Sequence, residues 1–322
     1  MLVLLPLTAK AACIAKPPIG CPPQLFSVPV GGEVVGSRES HQFSAKRLSA
    51  RPTAFLLKNF LSPEECEAIK SEALDSGRVH AAETTGESDA RKKCQVCTLP
   101  LQTPVVGALT NEAAQLLLGP DALGSKGAGC EDMHVLKYSP GGEYRGTDAT
   151  RSIDTSWDTI FRDCCQRTPR SIPKHTVHYD GSPILPRVMT ILYYLNGVGA
   201  TWFPFADATG DDADLIEKSG RDQILDRTAA LDPSSAGVLV EPSGPGDAVA
   251  FFNFDADGVR DPYSLHAGTT VGEGDDKWLA AHFFQAPSLV ASSEAMRALA
   301  WRREQEALNA AQGISDELEA AK

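Results

Sequence analysis

Three runs decide the fold: HTVHYD at 175–180, RVMTILYYL at 187–195 and TWFPF at 201–205. Each is short, rich in β-branched and aromatic residues, and bounded by Gly, Pro or Asn, which marks strands rather than helices. The same texture extends on both sides. MHVLKY (133–138) precedes them, and GVLVEP (237–242), DAVAFFNF (247–254), YSLHAG (263–268) and KWLAAHFF (277–284) follow. Eight short strands, with no helical pattern of comparable strength between most of them, predict a mainly β chain built on an antiparallel barrel or jelly roll. Two polar inserts interrupt the strands. One covers 145–174 and holds the adjacent Cys164 and Cys165. The other covers 206–236, carries Asp207, Asp211, Asp212 and Asp214, and is expected to include a short helix around Ala213 to Ile224.

Helices flank this core, which makes the class α+β. AFLLKNFL (54–61) reads as a strand, and a well-marked helix start follows it. Ser62 is the N-cap, Pro63 takes the first helical position, and Glu65 completes a capping box. Cys66, Ile69, Ala73 and Leu74 recur on one face, and Gly77 supplies a stop. A second helix is expected over Pro104 to Leu118, with Val105, Leu109, Ala113 and Leu116 inward and Gly119 ending it. Residues 1–50 lack sustained periodicity and carry Pro17, Pro18, Pro22, Pro23 and the Gly31-Gly32 pair, so order is expected to begin near Arg51. The resulting division is a leader over 1–50, a strand and helical layer over 51–125, a β core over 126–290, and a C-terminal helix over 291–322. In that last segment Met296, Leu299, Ala300 and Leu308 share a side.

Composition bounds the function. A content of 42% hydrophobic residues with 27 Gly and 22 Pro fits a turn-rich globular chain. The formal net charge of -12 disfavours nucleic acid as a partner and suits a basic peptide. No apolar run of about 20 residues exists to span a membrane. LVLLPL at 2–7 with small residues after it faintly suggests a secretory signal, but a disordered leader or a misplaced start codon fits as well. Eight cysteines leave disulfides, free thiols and, through Cys94-x-x-Cys97, a weak zinc or redox signal all open.

Two places offer metal ligands. In His178-Tyr179-Asp180 the imidazole and carboxylate lie two residues apart, so in a strand both point to one face. His266, near the end of a later run, can complete a set of two His and one carboxylate, which leaves other positions on the metal open and suits Fe(II) oxygenase chemistry. An isolated His-x-Asp is common by chance, and its context is what raises its weight.

In that context the chain resembles the 2-oxoglutarate- and Fe(II)-dependent dioxygenases, and among them the prolyl 4-hydroxylases. Tyr138-Ser139-Pro140-Gly141-Gly142 looks like the family's Pro-Gly turn. Arg187 falls nine residues after His178, and Tyr194-Leu195-Asn196 follows. Gly199-Ala200-Thr201-Trp202-Phe203-Pro204 and Gly246 to Phe252 look like two further family strands, and Asp261 to Gly268 with Lys277-Trp278 like its last two motifs. The likeness runs from about residue 54 to 286 in the family's order. It implies a double-stranded β-helix core, with His178, Asp180 and His266 holding Fe(II). It further implies Lys277 pairing with the far carboxylate of 2-oxoglutarate, Tyr138 bonding that carboxylate, and Thr201 lining the pocket. O2 would be the second cosubstrate, ascorbate the reductant, a proline-containing protein or peptide the substrate, and the secretory pathway the favoured compartment.

The chain departs from the family in one place. After Tyr144 comes Arg145-Gly146-Thr147-Asp148, with no histidine, and His178 arrives some thirty residues later than the pattern would place it. The spacing from His178 onward favours an inserted loop over a lost motif. Lys277 stands eleven residues after His266 where about ten is expected, which implies a one-residue bulge. Arg187 reads either as a structural ion-pair partner, which is favoured, or as a substrate contact. Tyr138 reads alternatively as a core aromatic and Lys277 as a surface lysine. His175 is expected to reach the cavity, and His282 to be structural. The competing functions are a non-catalytic jelly-roll binding module, a dioxygenase acting on lysyl residues or a small molecule, and a cupin-like isomerase or storage protein.

Overall fold

The computed structural model describes residues 16–38, 41–76, 80–81, 91–119, 129–144, 180, 187–269 and 271–285. Two antiparallel sheets form its centre. Nine strands make the larger sheet: β1 (Glu33–Ser37), β2 (Gln42–Ser49), β3 (Ala54–Lys58), β4 (His80–Ala81), β5 (Arg91–Leu99), β6 (Met133–Tyr144), β7 (Arg187–Tyr194), β10 (Ala248–Phe252) and β12 (Lys277–Gln285). Their spatial order is β1-β2-β3-β10-β7-β12-β6-β5-β4. The smaller sheet is β11-β8-β9, from β8 (Thr201–Phe203), β9 (Val238–Val240) and β11 (Ala267–Gly268). This is the jelly-roll core that the sequence pattern predicts. HTVHYD lies outside the described residues apart from Asp180.

The molecule is layered, and strand parity assigns each side chain to a layer. On one face of the large sheet, Met189, Ile191 and Tyr193 of β7 and Ala248, Ala250 and Phe252 of β10 pack against the helices α2 (Pro63–Asp75) and α3 (Pro104–Leu117). On the other face, Leu192, Tyr194, Val249, Phe251 and Leu279 meet Phe203 and Val240 of the small sheet. Beyond the small sheet, Trp202, Leu265 and Ala267 pack under Ile216 and Ile224. Those two residues belong to α4 (Gly210–Lys218) and α5 (Arg221–Ala230). The central strands are covered on both faces, so they read as continuous apolar runs without alternation.

Several expectations are corrected. Order does not begin at Arg51: a short helix α1 (Pro23–Phe26), β1 and β2 precede it, and β2 pairs with β3 through Ala45↔Leu57. Both strands alternate exposed and buried positions, with Phe43 packed edge-on to Phe60 at 4.9 Å. Their polar halves and the surrounding Pro and Gly residues hid this period of two. In α2 the capping box is present, but Leu74 is exposed, because the buried face is set by Cys66, Ile69 and Ala73 alone. The inward face of α3 is Val106, Leu109, Thr110, Ala113, Ala114 and Leu117, so Val105 and Leu116 sit at its margin. The single helix expected around 213–224 is two helices, divided where Ser219 and Gly220 are extended. The 145–174 insert, Gly77 and the C-terminal helix lie outside the described residues.

One ionic contact ties the N-terminal strands to the helical layer. The buried guanidinium of Arg38, just past β1, meets Glu65 of α2 at 2.7 Å and Glu112 of α3 at 2.7 Å, and also donates to the carbonyl of Phe60. Removing one member of a buried charge cluster strands the others. Arg38→Ala is therefore expected to lower unfolding stability by about 3 kcal/mol, read as an earlier urea midpoint with an unchanged slope.

Candidate functional site

The space between the two sheets holds the polar groups that the layering does not explain. Lys277 is the first residue of β12 and stands directly opposite Tyr138 of β6, which in turn stands opposite Cys94 of β5. Parity turns Lys277 toward the small sheet, where it is buried. Its Nζ lies 5.8 Å from the Tyr138 ring centre and 5.9 Å from that of Tyr194, and it donates to the carbonyl of Ala200 at 3.4 Å. Among the described residues no carboxylate pairs with it. Burial therefore pulls its pKa down from the usual 10.5 to about 8, against a weak opposing effect from Cys94. Thr201 is buried on β8, and its hydroxyl accepts a hydrogen bond from Tyr194 at 2.7 Å. That bond leaves the threonine proton free to point elsewhere.

The position of Lys277 depends on a glycine. Gly199 has φ +88, and a Cβ there would come within 2.6 to 3.0 Å of Lys277 Cδ, Cε and Nζ. The expected bulge before Lys277 is not in the strand. β12 runs in register from Lys277 and shifts only at Phe284/Gln285.

The second polar pair is Asp180 with His266. His266 sits just ahead of a two-residue strand, not near the end of one as expected. Pro262–Ser264 form a 3-10 turn capped by the Asp261 carboxylate, and only Ala267–Gly268 are paired with β8. Asp261 and Tyr263 are both engaged by Arg51, whose guanidinium lies 3.3 Å from the carboxylate and 4.1 Å from the ring centre. This turn aims the imidazole inward. His266 Nδ1 lies 2.9 Å from the carbonyl of Ser264, the rings of Phe251 and Phe203 flank it, and Nε2 lies 3.3 Å from Asp180 Oδ2. If Nδ1–H donates to the carbonyl, Nε2 carries its lone pair toward a carboxylate oxygen. Two acceptors facing each other in a buried setting are a donor set that a divalent cation fits.

Arg187 holds Asp180 in place. It makes two hydrogen bonds to Glu131, at 2.8 and 2.7 Å, stacks over Phe283 at 3.8 Å and donates to the backbone carbonyl of Asp180 at 3.2 Å. The favoured structural reading of Arg187 agrees with this geometry. Glu131 was not legible in the sequence, because no pattern marks a lone glutamate ahead of a strand. His282 is structural, as expected: it is buried with Thr110 and Cys130 at 3.0 and 3.1 Å from Nε2, and burial lowers its pKa to about 3. His134 packs edge-on to Phe283. His178 and His175 lie outside the described residues.

The zinc reading of Cys94-x-x-Cys97 fails on parity. Three residues apart on one strand, Cys94 faces the small sheet while Cys97 faces the helices. Cys21, Cys66, Cys94, Cys97 and Cys130 are all free thiols. Among the described residues there is no helix long and apolar enough to cross a membrane.

Gly199→Ala is expected to cost about 1–3 kcal/mol, from the left-handed backbone and the overlap with the lysine stem together. Thermal unfolding would register this as a lower midpoint, while a substitution to alanine at the exposed Gly272, with open space around it, would not.

No family model matches the chain. It is similar to prolyl 4-hydroxylase 2 of Arabidopsis thaliana, with 28% identity over 251 residues that take in 76% of this chain and 70% of that protein. Probable prolyl 4-hydroxylase 4 of the same plant is 29% identical over 251 residues, with the same shares. Among solved structures it is similar to the viral collagen prolyl hydroxylase of Paramecium Bursaria Chlorella virus-1 in its 2-oxoglutarate complex. That match has 18% identity and a TM-score of 0.42, and covers 72% of this chain and 96% of that one. By sequence, the chain is similar to prolyl 4-hydroxylases over about three quarters of its length.

Proposed function

We propose that this protein is a 2-oxoglutarate- and Fe(II)-dependent dioxygenase that hydroxylates prolyl residues of a protein or peptide. The observation that carries the reading is the buried ammonium of Lys277, which has no carboxylate partner among the described residues and lies in the inter-sheet space that also holds His266 and Asp180. A cation kept dry in that way suits an anion that arrives from solution. The far carboxylate of 2-oxoglutarate is such an anion. The relatives' names supply the prolyl substrate.

His178, Asp180 and His266 are the residues that would hold the iron. When bound, Fe(II) supplies the activation of O2 that couples oxidation of 2-oxoglutarate to hydroxylation of an unactivated C–H bond. The chain's own residues do the rest. Lys277 receives the far carboxylate as a point charge, Thr201 offers its hydroxyl proton, and Tyr138 lines the same wall. The Ser264 carbonyl orients His266, and Arg187 with Glu131 fixes the backbone of Asp180. Phe203 and Phe251 keep water from the imidazole. Ascorbate belongs to the proposal as the reductant that maintains Fe(II).

The test is succinate release from 2-oxoglutarate in air with Fe(II), ascorbate and a panel of proline-rich peptides. Peptide-stimulated turnover is expected in the native protein and lost in His178→Ala and His266→Ala, with the added oxygen located on proline by mass. Iron binding without turnover on any peptide would favour a binding module. Full turnover in His266→Ala would remove this residue from the metal site.

The lysine also sets a pH dependence. The ammonium is the form that pairs, and its folded pKa of about 8 lies below the usual 10.5. Affinity for 2-oxoglutarate is therefore expected to be flat below about pH 8 and to weaken about tenfold per unit above it, until the lysine in the complex itself titrates. In the unliganded protein the sign is opposite to that of a salt-bridged lysine. Stability falls as pH drops from 10.5 through about 8, because the folded state must then bury a charge. Calorimetric titration of 2-oxoglutarate across pH 6.5 to 9.5 would reveal both the plateau and the slope.

A further inference from the structure

We propose that Asn196 is a positioning residue for Lys277, gripping the main chain on both sides of the lysine so that its amine is held where the far carboxylate of a 2-oxo dicarboxylic acid arrives. The proposal rests on the reading of Lys277 as the cation for that carboxylate.

Lys277 sits at the end of a strand, where the chain ordinarily frays. On one side β12 is laddered to β6 from its first residue, Lys277↔Tyr138. On the other side, pairing with β7 begins only at Leu279↔Tyr194, so Lys277 and Trp278 run past the end of the neighbouring strand. Asn196 continues the ladder in its place. Its side-chain amide donates to the carbonyl of Asp276 at 2.6 Å, and its side-chain oxygen accepts from the N–H of Trp278 at 3.0 Å. The N–H of Leu195 donates to the carbonyl of Trp278 at 2.9 Å. The residues on both sides of Lys277 are thereby fixed by a planar group that is donor and acceptor at once, a combination that asparagine supplies and aspartate does not.

The same short loop also governs the tip of the lysine. Ala200, four residues on, presents the carbonyl to which Nζ donates, and Gly199 leaves the space that the lysine stem occupies. The loop is itself pinned from behind. Gly197 has φ +69, and a Cβ there would lie 2.7 Å from the backbone of Gly244, while the N–H of Gly246 donates to the carbonyl of Tyr194 at 2.9 Å. Residues 196–200 thus act as a socket, with Asn196 holding the lysine's root and Ala200 its end.

The experiment compares Asn196→Ala, Asn196→Asp and Lys277→Ala with the native protein. It measures Fe(II) affinity and, in the iron-loaded protein under argon, 2-oxoglutarate affinity at several pH values. Lys277→Ala is expected to lose 2-oxoglutarate binding. Asn196→Ala is expected to weaken it about tenfold, in line with losses at residues that orient a binding group, with Fe(II) affinity unchanged. The pH above which binding falls off is expected to move upward, because a lysine with a loosened root reaches water more readily. Asn196→Asp keeps the acceptor for Trp278 but sets a carboxylate oxygen against the carbonyl of Asp276, so it should weaken 2-oxoglutarate binding at least as far as alanine does. It decides the question on the same two readouts if the alanine variant does not fold. Native 2-oxoglutarate affinity and pH profile in the Asn196 variants, alongside loss in Lys277→Ala, would overturn this proposal and leave the lysine's role standing. A parallel loss of Fe(II) and 2-oxoglutarate binding would also overturn it, as general damage. Native binding in Lys277→Ala would instead overturn the reading beneath it.

Discussion

Taking an ammonium group out of water costs several kcal/mol unless something in the protein answers its charge. Around Lys277 the answer is partial: two tyrosine faces near 6 Å and one carbonyl at 3.4 Å. The lysine stays inside because the backbone gives it no other course. It begins a strand whose next inward-facing residues, Leu279, Ala281 and Phe283, are packed between the sheets, and parity carries the lysine inward with them. Among the described residues, what remains is a charge paired less well than burial demands. Under the proposed function, a ligand that brings a carboxylate would relieve that cost.

The rest of the site follows from how the layers are joined. The large sheet supplies Lys277 and Tyr138, and the small sheet supplies Thr201 and the turn leading to His266. Neither sheet alone brings these groups together. The aromatic side chains that hold the sheets together, Phe203 against Phe251 at 5.0 Å, are also those that flank the imidazole. Core packing and site geometry are one arrangement here, and a substitution at either phenylalanine would be felt in both. Outside the sheets, the helices of the 206–236 insert reach the same turn. Glu217 of α4 bonds Arg51 and the Tyr263 hydroxyl, at 2.8 and 3.0 Å, beside the segment that ends in His266.

The sequence by itself determined the strand texture and the capped helix at Ser62, since these depend on local rules: a period of two and a capping box. Lys277 and Arg187 were singled out through the resemblance to the prolyl 4-hydroxylases, though not with their partners. The tertiary structure decided what local rules cannot reach. β1 and β2 take their place because a buried Arg38 and a ladder to β3 hold them, contacts made across tens of residues. The faces of α2 and α3 were set by what each helix leans on: Leu74 drops off the first, and in the second Val106 and Leu117 take the inward places expected of Val105 and Leu116. Cys94 and Cys97 were separated by the two sides of one strand. Glu131 and Asn196 gained their roles only through partners 56 and 82 residues away, Arg187 and Trp278, because a hydrogen bond between distant segments leaves no period or spacing in the chain that makes it.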